Sequence, residues 1–213
     1  MSTMVRLTID GKEVQARQGE KVLWAALDNG IYIPHLCAIR GAEEPHAGCR
    51  LCFVEIEGRD GLVTACTEPA VGGMVVHTST ERVKRIVATV FELLLASHPV
   101  DCAHCLRSGG CELQRLARFL GIKLKSRRFR QLVREFPIDD SHPAILLDPN
   151  KCILCHRCIW TCRQRGIGAL GYINRGFERR IGTFGDMPLA EVGCEGCEAC
   201  AQVCPVGALA AKR

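Results

Sequence analysis

Fifteen cysteines and one histidine, His98, fall into four groups of four along the 213-residue sequence. Two of the groups repeat the spacing C-x2-C-x2-C-x3-C, which is typical of ligand runs for 4Fe–4S clusters. The candidate ligands, in chain order, are Cys37, Cys49, Cys52 and Cys66; His98, Cys102, Cys105 and Cys111; Cys152, Cys155, Cys158 and Cys162; and Cys194, Cys197, Cys200 and Cys204. Because this grouping uses every cysteine and thiolates are the usual ligands of iron–sulfur clusters, the pattern predicts a chain that transfers electrons.

The expected cellular compartment follows from the same residues. An odd number of cysteines cannot pair completely, and residues 1–6 lack the apolar stretch of a secretory signal. No segment of the sequence is long and apolar enough to cross a bilayer. We therefore expect a cytoplasmic protein, in which a dense cysteine pattern binds metal rather than forming disulfides. Four-cysteine zinc sites, in a zinc-stabilised scaffold or redox sensor, are the alternative of another class.

The sequence has a formal net charge of +5, and much of the excess lies in one basic stretch. Its residues are Lys123, Lys125, Arg127, Arg128, Arg130 and Arg134. Solvated side chains are the preferred interpretation. The second is that the stretch docks an acidic partner or offsets the negative charge of thiolate-bound clusters. Nucleic-acid binding is a weaker third, because no recognition motif accompanies the charges.

The first cysteine group lies in a predicted domain of residues 1–79 with sheet-like patterning. Strands are predicted over residues 5–9, 13–16, 52–56, 62–65 and 74–77. Asp10-Gly11 is a hairpin signal, and a helix is predicted over residues 20–27, ended by Asn29-Gly30. A mixed sheet with one crossing helix is the ferredoxin-type β-grasp. The long irregular loop between Cys37 and Cys52 would then wrap a cluster.

The second group lies in a predicted helical domain of residues 80–140. An apolar period of three to four residues predicts a helix that starts at Ser79 or Thr80 and ends at His98, since Pro99 disfavours the α conformation before it. A second helix is predicted over residues 112–120, stopped by Gly121. His98 opens the pattern H-x3-C-x2-C-x5-C, and the nearby His104 is its rival as a ligand. The other histidines are expected at the surface or in the core; they are His35, His46, His77, His142 and His156.

The third domain, residues 141–213, contains the repeated cysteine run. In two-cluster folds of this kind the fourth cysteine of each run binds the cluster of the other run. The expected ligand sets are therefore Cys152, Cys155, Cys158 and Cys204 for one 4Fe–4S cluster, and Cys194, Cys197, Cys200 and Cys162 for the other. Pro205 is expected to begin a helix. His156 stands where such runs often have glycine, so it is expected to affect packing or potential at that cluster.

Three strings in this sequence resemble one family in the same order. AGCRLCFVEIEG with TACTEPAVGGMVVHT resembles the N-terminal 2Fe–2S domain of the large peripheral-arm subunit of complex I and of related hydrogenase subunits. HPVDCAHCLRSGGCELQ resembles the 4Fe–4S site with one histidine and three cysteine ligands in that family. DPNKCILCHRCIWTC, with the later NRGFERRIGTFGDMPLAEVGCEGCEACAQVCPVGAL, resembles its two-cluster ferredoxin domain. The resemblance implies an α+β protein with one 2Fe–2S cluster and three 4Fe–4S clusters.

Since members of the family with further catalytic domains continue beyond this region, the sequence is most similar to the small diaphorase subunit of soluble NAD-reducing nickel–iron hydrogenases. The resemblance implies a flavin- and NADH-binding partner carrying FMN and NAD, and hydrogenase small and large subunits carrying the nickel–iron site. Equivalent subunits of an NAD-dependent formate dehydrogenase, a bifurcating hydrogenase or another complex I-like enzyme are the alternatives. No acid–base or nucleophilic constellation stands out, so the chain is expected to be part of an enzyme without a catalytic residue of its own.

Overall fold

The computed structural model describes residues 3–125 and 128–212, and the chain divides into two compact units, Met1–Phe91 and Glu92–Arg213. The helices are Val22–Asp28 (α1), Glu81–Ala96 (α2), Glu112–Leu120 (α3), Arg157–Gln164 (α4) and Ala199–Val203 (α5). The strands are Met4–Ile9 (β1), Lys12–Arg17 (β2), Phe53–Ile56 (β3), Val63–Thr64 (β4), Val75–His77 (β5), Ile145–Leu147 (β6), Leu170–Ile173 (β7), Arg180–Thr183 (β8) and Leu209–Ala211 (β9). Within the two described ranges, none of the helices has both the length and the apolar character of a membrane span.

The first unit contains a mixed sheet whose strands follow the order β2-β1-β5-β3-β4. β1 pairs antiparallel with β2 and parallel with β5, and β5 pairs antiparallel with β3. Asp10 and Gly11 connect β1 to β2 with positive φ angles of 49° and 78°, as a tight hairpin of this hand requires. α1 contributes Val22, Leu23 and Ala26 to the core between helix and sheet. The predicted α+β class and the mixed sheet with one helix are confirmed.

α1 begins at Val22, two residues later than predicted. Lys21 has an extended backbone and forms an antiparallel bridge with Pro69, so the chain enters the helix from a strand-like segment. At the other end, Asn29 caps the helix and Gly30 has a φ of +75°, which agrees with the predicted stop. Backbone pairing to a distant segment is the part that local periodicity cannot indicate.

The two predicted helices of the middle region are present. The Thr80 hydroxyl accepts a hydrogen bond from the Val83 amide at 3.2 Å and caps α2. α2 ends at Ala96 rather than at His98, in keeping with the restriction that Pro99 places on the residue before it. α3 covers Glu112–Leu120, and Gly121 ends it in the left-handed conformation with a φ of 65°.

In the second unit, β6 pairs with β9 and β7 pairs with β8, both antiparallel. The two cysteine runs repeat their backbone conformation as well as their spacing. Positive φ angles occur at Leu154 and His156 in the first run and at Gly196 and Glu198 in the second. Each run then enters a short helix, α4 or α5. His156 therefore occupies a left-handed position, which is the physical reason that glycine suits it.

The expectation that Pro205 begins a helix is wrong. α5 lies before Pro205 and ends at Val203, and the chain after Pro205 turns into β9. Gly207 has a φ of +102°, which no right-handed helix contains. The Pro205 carbonyl accepts a hydrogen bond from the Glu112 amide at 2.9 Å, so this segment is fixed against the start of α3 instead.

Candidate metal centres

Cys37, Cys49, Cys52 and Cys66 are all buried in the first unit. Residues 31–52 between α1 and β3 contain no regular helix or strand and carry three of them. The Cys49 amide donates a hydrogen bond to the Cys37 sulfur at 3.4 Å. The side chain of Cys37 hydrogen-bonds with that of Cys49, and the side chain of Cys52 with that of Cys66. The structure thus brings the four predicted residues together as two pairs.

This pairing divides the acidity of the four thiols. Its hydrogen bond with Cys37 lowers the pKa of Cys49 to about 6, and the same bond raises the pKa of Cys37. In the same way, the hydrogen bond between Cys52 and Cys66 raises the pKa of Cys52 and lowers that of Cys66. Each pair therefore contains one ready thiolate and one thiol that gives up its proton when metal binds. Two sulfurs for each of two irons is the arrangement that a four-cysteine 2Fe–2S site requires.

The second group surrounds a cavity in the second unit. His98, Cys102, Cys105 and Cys111 line it together with apolar side chains that include Leu113 and Val206. His98 Nδ1 is buried without a hydrogen-bond partner. His104 does not line this cavity; its side chain is 83% exposed and its Nδ1 lies 2.8 Å from an Asp101 carboxylate oxygen.

The His98 ring has the electrostatic character of a metal ligand. Burial lowers the pKa of His98 to about 4, although a hydrogen bond with the Lys151 backbone acts in the opposite direction. The ring is therefore neutral near pH 7 and can offer a nitrogen lone pair. Ligand histidines commonly donate their other ring N–H to a backbone carbonyl, which fixes the orientation of the ring. The orphaned Nδ1 and the backbone contact fit a metal group at this position.

Cys152, Cys155, Cys158 and Cys204 line one further cavity, closed by apolar residues such as Ile181 and Leu209. Burial is the main cause that raises the pKa of Cys152 to about 11 and that of Cys155 to about 12, and Cys204 adds to both shifts. The nearby amide of Leu154 donates to the Cys152 sulfur at 3.3 Å. The structure therefore brings Cys204 of the second run to the first three cysteines of the first run.

The last group is the complementary one. Burial raises the pKa of Cys200 to about 12, and the neighbouring Cys194, Cys162 and Cys197 raise it further in that order. Cys162 of the first run is thus close to three cysteines of the second. Cys197 is exposed, so this group reaches the protein surface. Taking only the described residues, no group of three His, Cys, Asp or Glu side chains converges on a single ion; the second and third sets line cavities instead.

Two cationic residues near these groups extend the sequence-based picture. Arg134, from the predicted basic stretch, donates hydrogen bonds to the carbonyls of Arg179 and Cys152 at 2.8 and 3.3 Å. Arg134 thus supports the interpretation that part of the stretch offsets cluster charge, whereas Arg128 pairs with Glu92 at 2.7 Å. Arg127 lies outside the described residues. Lys151, which immediately precedes Cys152, was not predicted to matter; its position three residues after Asp148 is the signal that could have indicated an ion pair.

Gly207 lies against the His98 group, and its replacement by alanine should disturb that group. A Cβ atom at this position would lie 3.1 Å from the Cys105 sulfur and 3.0 Å from the Arg107 Cβ, in addition to the strain of a φ of +102°. Such backbone strain alone costs about 1–3 kcal/mol. We expect Gly207→Ala to lower the iron bound at the His98 group, measured as loss of one 4Fe–4S signal in the EPR spectrum of the reduced protein.

Gly61→Ala is the matched control for this substitution. Gly61 has a φ of +83° but no atom within 4 Å of a Cβ built on it, so only the backbone strain is shared. Equal loss of the same signal in both variants would show that strain, and not the contact with Cys105, causes the effect.

Comparison with known families agrees with this division of the chain. Residues 2–81 match the family described as "2Fe-2S iron-sulfur cluster binding domain". Residues 88–125 match "NADH-ubiquinone oxidoreductase-G iron-sulfur binding region", and residues 147–208 match "4Fe-4S dicluster domain". The three matches cover the four cysteine groups in chain order.

The chain is also similar to subunits of larger enzymes. It is 39% identical to NADP-reducing hydrogenase subunit HndD of Solidesulfovibrio fructosivorans, over 97% of this chain and 36% of that protein. It is 33% identical to the mitochondrial NADH-ubiquinone oxidoreductase 78 kDa subunit of Candida albicans, over 98% of this chain and 28% of that protein. The chain thus spans about a quarter to a third of the length of these curated relatives.

A solved structure matches over most of both chains. A chain in the crystal structure of NAD⁺-reducing [NiFe]-hydrogenase in the H2-reduced state superposes with a TM-score of 0.90 and 36% identity. The match covers 98% of this chain and 87% of that one. The chain therefore belongs to the family of iron–sulfur subunits that includes those of NAD(P)-reducing hydrogenases and the homologous 78 kDa subunit of NADH-ubiquinone oxidoreductase.

Proposed function

We propose that this chain relays electrons between a hydrogenase module and an FMN- and NAD(H)-binding diaphorase subunit. The observation that carries the proposal is the arrangement of fifteen cysteines and His98 as four groups, in a chain that matches 87% of a chain of an NAD⁺-reducing [NiFe]-hydrogenase. The proposed partners are the diaphorase subunit and the hydrogenase small and large subunits, which would carry the FMN, NAD and nickel–iron sites. The proposed location is the cytoplasm.

The proposed ligand sets follow the four groups. One 2Fe–2S cluster would be held by Cys37, Cys49, Cys52 and Cys66, and one 4Fe–4S cluster by His98, Cys102, Cys105 and Cys111. The other two 4Fe–4S clusters would be held by Cys152, Cys155, Cys158 and Cys204, and by Cys194, Cys197, Cys200 and Cys162. The matched family ranges support cluster-binding domains of residues 1–79, 80–140 and 141–213.

When bound, the clusters would supply one-electron transfer. The residues of this chain hold them in place, keep water away and adjust their potentials. Apolar side chains such as Ile181, Val206 and Leu209 exclude solvent around the thiols. No residue of this chain is assigned a role in breaking hydrogen or in transferring hydride; those steps belong to the proposed partners. Electrons would travel from hydrogen toward NAD, and the reverse direction uses the same residues.

A complex I-like enzyme is the second candidate, because the chain is also 33% identical to the 78 kDa subunit of an NADH-ubiquinone oxidoreductase. Purification of the chain with its native partners separates the candidates. Nickel in the complex and hydrogen-dependent reduction of NAD support the first proposal. Molybdenum or tungsten with formate turnover would indicate a formate dehydrogenase, and quinone reduction without nickel a complex I-like enzyme.

Metal analysis tests the cluster assignment directly. We expect anaerobically purified full-length chain to contain about fourteen irons and an equal number of acid-labile sulfides, from one 2Fe–2S and three 4Fe–4S clusters. The sample should be brown and should lose its visible absorption on reduction with dithionite. A colourless protein with zinc at the cysteines would contradict the assignment and support the scaffold or sensor alternative.

A further inference from the structure

A largely buried ion pair lies beside the His98 and Cys152 groups. The Lys151 ammonium is 3.0 Å from an Asp148 carboxylate oxygen, and the two side chains are only 19% and 7% exposed. Charges removed from water in this way are costly unless they are paired and hydrogen-bonded. Because hydrophobic residues could fill the same space at lower cost, the pair calls for a role other than stability.

The Asp148 carboxylate is held in place from several sides. Its Oδ1 accepts hydrogen bonds from the backbone amide and the side-chain amide of Asn150, both at 3.1 Å. The backbone amide of Asp148 donates to the Ala208 carbonyl at 2.8 Å. Asn150 is in turn bound to the backbone of Phe136 through both atoms of its side-chain amide. The carboxylate is therefore a fixed charge, and it fixes the Lys151 ammonium in turn.

Lys151 is connected to both neighbouring groups. Its backbone hydrogen-bonds with the ring of His98, and it directly precedes Cys152 in the chain. Among the charged residues that act on the His98 ring, the Lys151 ammonium has the larger effect and Asp148 a smaller, opposite one. The net influence of the pair at His98 is therefore that of a positive charge.

We propose that Lys151 and Asp148 are positioning residues that orient the His98 ring and set the reduction potential of the cluster proposed there. This inference rests on the proposed ligand role of His98. The Lys151 backbone holds the ring, its ammonium favours the reduced, more negative cluster, and Asp148 limits that effect. Cluster potentials depend on net charge and on hydrogen bonds around the ligands, so a fixed charge pair at this position acts on a quantity that electron transfer uses.

The test is a set of charge-changing variants in the full-length, cluster-loaded chain. Lys151→Met removes the positive charge and should lower the midpoint potential of the His98 cluster. Asp148→Asn keeps the Oδ1 acceptor but removes the negative charge, and it should raise that potential. We expect shifts on the order of a tenfold change in the ratio of oxidised to reduced cluster, which is about 59 mV for a one-electron couple. Each potential is measured by EPR-monitored redox titration.

The opposite directions separate a charge role from a structural one. Damage to the fold would broaden or remove the signal in both variants, whereas the proposal requires one shift down and one up. Should Lys151→Met fail to fold because Asp148 is left unpaired, the double variant Lys151→Met/Asp148→Asn removes both charges. Its potential should lie between those of Lys151→Met and Asp148→Asn, and Lys151→Arg should restore the original value.

Lys212→Met is the matched control, because Lys212 forms an ion pair with Asp140 at 2.7 Å in the same unit and lines neither the His98 nor the Cys152 cavity. It should leave the potential unchanged. Full iron content with no shift in any Lys151 or Asp148 variant would overturn this inference while leaving the proposed function intact. Absence of iron in the unmodified chain would instead overturn the proposed function.

Discussion

Replacing Cys204 with alanine should remove the cluster of the first cysteine run, although Cys204 belongs to the second run. The structure brings the Cys204 side chain to Cys152, Cys155 and Cys158, and Cys162 to the cysteines of the second run. We expect Cys204→Ala to lose one 4Fe–4S cluster, about four irons per chain. EPR of the reduced protein should lack the same signal that is missing from Cys155→Ala.

The reciprocal variants identify which cluster is lost. Cys162→Ala should match Cys200→Ala, and neither should match Cys204→Ala. If each run instead held its own cluster, Cys204→Ala would match Cys200→Ala and Cys162→Ala would match Cys155→Ala. The four spectra, compared with iron content, therefore distinguish exchanged from unexchanged ligands without any assumption about the absolute potential of either cluster. Cys204 and Cys162 are both buried, so neither substitution adds a polar group to the surface.

Much of the fold follows from local sequence signals. Asp10-Gly11, the Thr80 cap and Gly121 each indicate an element boundary, and the structure has a turn or a helix end at each. The late start of α1 and the turn after Pro205 depend on contacts between residues far apart in sequence, Lys21 with Pro69 and Glu112 with Pro205. A proline after a cysteine run permits a helix start, but Gly207 and the bond to Glu112 decide against it.

The grouping of the cysteines was predictable because spacing and repetition leave few ways to divide them. The exchange of Cys162 and Cys204 between runs was expected from the same repeat. In contrast, the surroundings of each group could not be read from spacing. Lys151 and Asp148 are separated from His98 by about fifty residues, and only the packed chain shows that their charges act on its ring.

Changing His98 to cysteine should keep a 4Fe–4S cluster in place but lower its reduction potential. A thiolate adds a negative charge where a neutral imidazole stood, and added negative charge disfavours the reduced state. Rieske centres, in which histidines replace cysteines, lie at least roughly 250 mV above plant-type ferredoxins. For one exchanged ligand we expect a fall on the order of 100 mV, measured by EPR-monitored redox titration of the full-length chain.

His104→Cys provides the control for this exchange, because His104 is only three residues after Asp101 and next to two of the same cysteines in sequence. Its exposed side chain pairs with Asp101, and it does not line the cavity, so the potential should not change. A fall in potential caused by His104→Cys rather than His98→Cys would transfer the ligand role to His104. The low pKa of His98, about 4, adds a second difference. Since protons compete with metal for the ring nitrogen only near that pH, the unmodified cluster should keep its iron through pH 6.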